Sequence, residues 1–323
     1  MTAQRLLAIA QPCSDLQSQT SWYCDRLGFK EESRDYLQGS WIGQLFGCSA
    51  DLAISRSILS LGCERLQLWQ WESKSGVDSS TQLMRPTPAD SRSNDRWFQH
   101  ICMVTKNLSG YFSGPLQSNT IMISKAVQTL PEWNQGAAGI QAVKFMDPQG
   151  HPLELLEFPA DKGNPRWHTL QSGSSQPMGI DHTAIGISDT PTSLRFYRDL
   201  LGLQLIGGSV NHGPEQDGLD GLDQTMVEIS SLRPVGGELG IEFLNYQQPA
   251  GGRSRSDAQI TDLCDWKILI ESSSVEQQHA ALQDSEWAGA CGPLVDLDPS
   301  FCGKSKGFFV RDPDKHAVIV LGD

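Results

Sequence analysis

The chain repeats itself. Trp22-Tyr23-Cys24-Asp25-Arg26-Leu27-Gly28-Phe29 is matched by Phe196-Tyr197-Arg198-Asp199-Leu200-Leu201-Gly202-Leu203, and the match runs upstream without a gap, Ser14-Asp15 falling on Ser188-Asp189. A second echo sets Phe145-Met146-Asp147-Pro148-Gln149-Gly150 against Val310-Arg311-Asp312-Pro313-Asp314-Lys315. Self-similarity at so long a spacing marks a tandem duplication, so the fold must be one that can be built twice. A length of 323 residues agrees, being ample for two domains.

Each copy divides again, because a strand-like start recurs midway through it, at 98–105 in the first and 265–271 in the second. The third of these four units is the clearest. His182-Thr183-Ala184-Ile185-Gly186-Ile187 alternates as a half-buried strand does, with Thr183, Ile185 and Ile187 on one face. A helix is expected next: Asp189 or Thr190 caps it, Pro191 suits its first turn, Leu194, Tyr197 and Leu201 share one side, and Gly202 ends it. Strand-like stretches follow at 204–208, 225–232 and 238–246. The unit is therefore βαβββ, and the chain is an α+β protein of four such modules. In each, a helix covers one sheet face and leaves the other to find a partner. The domains expected are 1–160, with modules 1–72 and 95–160, and 177–323, with modules 177–248 and 260–323. Ser-, Pro- and Gly-rich stretches at 73–93, 159–178 and 247–259 read as linkers, and the two Asp-Pro runs as type I turns into a last strand.

Composition narrows the partners. With 25 Lys and Arg against 38 Asp and Glu, the net charge of −13 repels phosphate backbones, and no basic cluster offsets it. Nucleic acid and anionic membrane are excluded in favour of a small-molecule substrate. The run Leu6-Leu7-Ala8-Ile9-Ala10 is too short for a signal or membrane segment, and eight scattered cysteines without a CxxC pair read as free thiols, so a cytoplasmic protein is expected. No GxGxxG, Walker A or GxSxG context is present, which argues against a nucleotide cofactor or a serine hydrolase.

Two of the seven histidines occupy equivalent places: His100 opens the first strand of module two and His182 that of module three. With Ile101 and Met103 under the helix, His100 faces the open side, as His182 does. A single strand histidine is more often a core or surface residue than a ligand; two at one module position shift that balance. The last strands of the same modules each carry a glutamate in an apolar run, Glu154 and Glu242, and a carboxylate there is costly to bury unless paired or bound to metal. His212, Arg233 and Tyr246 are further candidates for a substrate pocket, while His151 and His316 follow turns and are expected to be exposed.

These residues resemble the vicinal oxygen chelate superfamily, which holds glyoxalase I, bleomycin resistance proteins and extradiol dioxygenases. The resemblance extends over all four modules, most strongly at 182–203 and 147–157. It implies two pseudo-symmetric, curved-sheet cavities made by modules facing one another. It also implies that the first and last strands of a module are neighbours, so His100 lies beside Glu154 and His182 beside Glu242. Modules one and four lack the ligands, offering Ala8 with Gln67 and Asp265 with Ile319. Pairing one with two and three with four splits the set between two incomplete sites. Pairing two with three and one with four brings His100, Glu154, His182 and Glu242 together as four metal ligands, and this arrangement is preferred.

The set implies one divalent metal, Ni, Zn, Co, Mn or Fe(II). The function implied is a glyoxalase-like isomerase or lyase that chelates vicinal oxygens and stabilises an enediolate, with Glu154 or Glu242 as catalytic base. Two alternatives stand beside it: an Fe(II) extradiol-type ring-cleaving dioxygenase, and a non-catalytic small-molecule binder of the bleomycin resistance type. A monomer or a homodimer is compatible with a chain that can complete its own cavities.

Overall fold

The computed structural model describes residues 3–75, 83–116, 120–169 and 176–323; parts of two expected linkers, 76–82 and 170–175, lie outside the described residues. Module one runs β1 (Ala3–Pro12), α1 (Leu16–Leu27), β2 (Lys30–Leu37), α2 (Ser40–Phe46), β3 (Leu52–Leu61) and β4 (Glu64–Ser73). Module two has β5 (Gln99–Val104), a helical turn α3 (Leu108–Tyr111), short strands β6 (Ile121–Met122) and β7 (Gln128–Thr129), then β8 (Gln141–Met146) and β9 (Pro152–Glu157). A linker helix α4 (Arg166–Thr169) leads to module three: β10 (Gly179–Ile187), α5 (Thr190–Leu194), β11 (Gln204–His212), α6 (Pro214–Asp220), β12 (Met226–Arg233) and β13 (Gly240–Gln248). Module four is β14 (Lys267–Ser272), α7 (Val275–Gln283), β15 (Val295–Asp296), β16 (Lys306–Arg311) and β17 (Ala317–Gly322).

The helix signals act where the sequence puts them. Asp15 accepts a hydrogen bond from the Ser18 amide at 3.0 Å, and Asp189 accepts one from Thr192 at 2.8 Å, each satisfying an amide left open in a first turn. Gly28 (φ 75°) and Gly202 (φ 80°) end the two helices in the left-handed conformation. The second half of the module-three helix, Arg195–Leu200, widens into a π-helix, and α2 and α6 are additions to the βαβββ pattern.

Modules one and four form an eight-stranded sheet, β15-β16-β17-β14-β1-β4-β3-β2, and modules two and three a second sheet in which β11-β12-β13-β10-β5-β9-β8 run side by side. Each sheet takes one module from each copy of the repeat. At both junctions the first strands meet antiparallel, β1 with β14 and β5 with β10, while the first and last strands within a module are parallel. The helix-side faces of both sheets share one core, including Ile9, Ile101, Met103, Ile185, Ile268 and Ile270. Across it, Tyr23 donates to Asp147 at 3.1 Å and Tyr197 to Asp312 at 3.0 Å, so the two Asp-Pro turns lock consecutive modules together. His151 and His316 are buried in these turns rather than exposed: His151 Nδ1 lies 2.8 Å from Asp147, and His316 Nε2 donates to the Gly186 carbonyl at 2.8 Å.

The two open faces have different fates. That of the one-and-four sheet is filled by α2, whose Trp41, Ile42, Leu45 and Phe46 pack against Trp69, Trp71, Phe309 and Ile319. Register also changes one residue of that face. Ala184 pairs with Glu242 and Leu269 with Ile319, so the residue two before, Lys267, holds the slot of His182; the expected Asp265 lies a further two residues back. Ala8 and Gln67 do take the slots of His100 and Glu154, because Ala10 pairs with Gln67 as Cys102 pairs with Glu154. The face of the two-and-three sheet encloses a cavity of about 610 Å³.

Candidate metal centre

The cavity floor is the antiparallel junction of β5 and β10, where His182 stands opposite Cys102 and Ala184 opposite His100. This register sets both imidazoles on one face, with ring centres 6.0 Å apart. β9 and β13 flank the pair in parallel and supply Glu154 and Glu242. His100 Nε2 lies 2.9 Å from Glu154 Oε2, and His182 Nε2 lies 3.9 Å from the same oxygen and 3.4 Å from Glu242 Oε2. His100, Glu154 and His182 each place a ligand atom within 4.8 Å of the other two, and all three are buried. Glu242 stands further out, its side chain 22% exposed against 8% for Glu154, and Ser231 donates to it at 2.6 Å.

A partner for His182 comes from a residue that strand alternation hides. The β5–β10 register shifts between Ile180 and His182, a bulge at Asp181. Neighbouring strand residues ordinarily face opposite ways, yet here both line the cavity, and Asp181 Oδ2 lies 3.0 Å from His182 Nδ1. A carboxylate only accepts, so it keeps the proton on Nδ1 and turns the Nε2 lone pair toward Glu154 and Glu242. Trp167 from α4 donates to Asp181 at 3.2 Å, and Arg233 forks onto both its oxygens at 3.0 and 3.1 Å. His100 Nδ1, in contrast, is buried with no partner among the described residues.

The charges follow. Burial pushes Asp181 up, but the hydrogen bond from His182 and the Arg233 charge outweigh it and hold the carboxyl well below its ordinary value. Burial also works against ionising Glu154, and is overcome by Lys144 and by the bond from His100, leaving it at about 2. His100 is pushed down by burial in spite of Glu154; His182 is raised, because Glu242 and Asp181 outweigh its burial. Three carboxylates, Glu154, Asp181 and Glu242, thus meet Lys144 and Arg233 in one cavity, and Asp220 backs Lys144. Imidazole nitrogens and carboxylate oxygens with a surplus of negative charge are the donor set a divalent cation takes, so the residues fit the metal.

The other expected residues spread out. Arg233 lines the cavity through its grip on Asp181. His212 stacks on Trp133 with ring centres 4.2 Å apart, and Tyr246 packs with Phe98, Leu222 and Val227. Asp181, Trp167, Lys144 and Asp220 were not anticipated. Lys144 carried a readable signal, a charge inside the apolar run Ala142-Val143-Lys144-Phe145, the same anomaly that flagged Glu154.

The model of the Glyoxalase/Bleomycin resistance protein/Dioxygenase superfamily matches residues 179–320. Glyoxalase I from Zea mays superposes with a TM-score of 0.60 at 14% identity, covering 98% of this chain and 92% of that one. A putative dioxygenase from Bacillus subtilis superposes with a TM-score of 0.54 at 12% identity, covering 100% of this chain and 86% of that one. No curated protein matches the sequence. At these identities the likeness is one of fold, and it extends over all four modules. Residues 179–320 thus match the model of the glyoxalase, bleomycin resistance protein and dioxygenase superfamily, and the chain shares the fold of glyoxalase I along its whole length.

Proposed function

We propose that this protein is a metal-dependent isomerase or lyase of the glyoxalase kind, acting on a small substrate with vicinal oxygens. The observation that carries the reading is the convergence of His100, Glu154, His182 and Glu242, from four strands of two modules, on one cavity of about 610 Å³. His100, Glu154, His182 and Glu242 would hold the cation. When bound, it supplies Lewis acidity for a carbonyl oxygen and charge for an enediolate.

The chain's own groups divide the remaining work. Glu154 is wedged between the histidines and 2.9 Å from His100, which suits a fixed ligand. Glu242 is the more exposed to the cavity and sits 3.4 Å from His182, so it is the carboxylate free to swing and take the proton next to the carbonyl. Ser231, donating at 2.6 Å, aims it. Asp181 and Arg233 hold His182, and α2's counterpart α6 contributes Gln216 and Leu219 to the wall that excludes water.

A second reading rests on the tightness of the three-residue group. Two histidines and one carboxylate are the facial triad of non-haem Fe(II) oxygenases, and His100, Glu154 and His182 are the compact subset. Elemental analysis of the purified protein tests both. The isomerase reading expects about one redox-silent divalent ion per chain and no oxygen uptake; iron with oxygen consumption on a catechol supports the dioxygenase; and no stoichiometric metal leaves a binding protein. His100→Ala and His182→Ala are each expected to abolish binding, and full occupancy in either variant contradicts a site shared across modules.

A further inference from the structure

A lysine sits where a cation is least welcome. Lys144 lies on β8 directly across from Glu154 on β9, which puts both side chains on the cavity face. It is buried and lines the cavity, and its Nζ donates to Asp220 at 2.6 Å. Asp220 is pinned from behind by Gln216 Nε2 at 2.7 Å, and the Lys144 amide is fixed by Ser124 Oγ at 2.7 Å, so the ammonium is a built part of the wall. Its charge is felt at Glu154 and at His100. An ammonium beside a metal-binding group repels the metal, and one carboxylate behind it occupies only one of its three donors. The arrangement becomes favourable when an anion lies between the ammonium and the cation.

We infer that Lys144 reads the charge of the ligand: the site takes a 2-hydroxy or 2-oxo carboxylate, whose acid oxygen accepts from Nζ while its vicinal oxygens face the histidine and glutamate cluster. The inference rests on the chelation reading above and deepens it. The rest of the wall sets the ligand's body. Leu130, Ile140, Leu156, Phe158, Leu219 and Leu244 make an apolar stretch of that wall beside its polar side chains, which suits a ligand that carries a branched aliphatic or aromatic group.

The test titrates the full chain, loaded with Zn²⁺ or Ni²⁺, with 2-hydroxy-4-methylpentanoate and with its neutral amide, both carrying vicinal oxygens. Calorimetry is expected to show the carboxylate binding tenfold or more tighter. Lys144→Met is expected to weaken the carboxylate about 10- to 100-fold, the range of a hydrogen bond to a charged group. The amide and the metal stoichiometry should stay as they were. Asp220→Asn keeps the ammonium and releases its partner, so the preference is held or increased; this variant carries the test if Lys144→Met does not fold. A preference that survives Lys144→Met, equal weakening of both probes, or loss of preference in Asp220→Asn overturns the assignment. Wild-type protein that binds both probes equally retains chelation and overturns only the role of Lys144, whereas loaded protein that binds neither removes the chelation reading itself.

Discussion

Asp181 shows how a single residue escapes sequence reasoning. Alternation assigns it to the helix side, opposite His182, and a one-residue bulge reverses that assignment. The glutamates and histidines were legible because their neighbours were apolar and their positions repeated; a bulge leaves no mark of either sort. Its consequence is measurable. Asp181→Asn keeps the shape but replaces an obligate acceptor by a group that can also donate, and Arg233 loses its ion pair. The expected result is a 10- to 100-fold loss of metal affinity in a competition assay with a chromogenic chelator, the usual effect of removing the partner behind a ligating histidine. An affinity within twofold of wild type would make Asp181 a structural residue alone. The same competition separates the imidazoles, since His100 has no comparable support on its Nδ1 among the described residues.

Among the elements, α2 decides which of the two faces is a cavity. The repeat announced four alike modules, and the order of strands obeys it, yet the helices at one repeat position differ in character, Ser40-Trp41-Ile42-Gly43-Gln44-Leu45-Phe46 in α2 against Pro214-Glu215-Gln216-Asp217-Gly218-Leu219-Asp220 in α6. α2 carries Trp41, Ile42, Leu45 and Phe46 into the face that lacks the histidine and glutamate pairs of the other sheet. The aromatic contacts, Phe46 to Trp71 at 5.3 Å and Phe46 to Phe309 at 5.6 Å, close it. At the vacated histidine slot Lys267 is buried against Asp265 at 2.9 Å, and Arg311 bonds to the same carboxylate. Burial pushes Asp265 up, but Lys267 and Arg311 outweigh it, so its folded value lies below the ordinary one. A carboxyl depressed on folding contributes stability above its unfolded value, near pH 4, and loses that contribution as pH falls through the folded value. Asp265→Asn leaves Lys267 buried without its counter-charge and is expected to cost about 3–5 kcal/mol in urea unfolding at pH 7. The variant should also lose stability less steeply than wild type below pH 4. A loss under 1 kcal/mol with an unchanged acid profile would mean that the pair is solvated in solution.

On the scale of the whole molecule, each sheet is built across the two duplicated halves. The preference for pairing two with three came from which modules kept their ligands, an argument about chemistry, and the strand order agrees with it. Pattern alone could not choose, because a first strand such as β1 is apolar enough to pair on either side. Each half, 1–160 or 177–323, holds one module of each sheet, and both junctions, β1 with β14 and β5 with β10, run between halves. The linkers reinforce this: Arg253 bridges to Asp90 at 2.7 Å and Asp95 at 2.7 Å, and a Cβ on Gly252 would lie 1.8 Å from the Asn94 carbonyl. A half expressed alone therefore exposes two long, apolar strand edges, the condition under which sheets aggregate. Co-expressed as separate chains, the halves are expected to assemble one to one, because the same edges then find their partners. Metal is the sharper readout, since His100 and Glu154 come from one half and His182 and Glu242 from the other. Size-exclusion chromatography with elemental analysis should find the ion only in the assembled pair. A C-terminal half that is monomeric, folded and stoichiometrically loaded on its own would show that the ion is held within one copy of the repeat, and the site across the β5–β10 junction would fall with it.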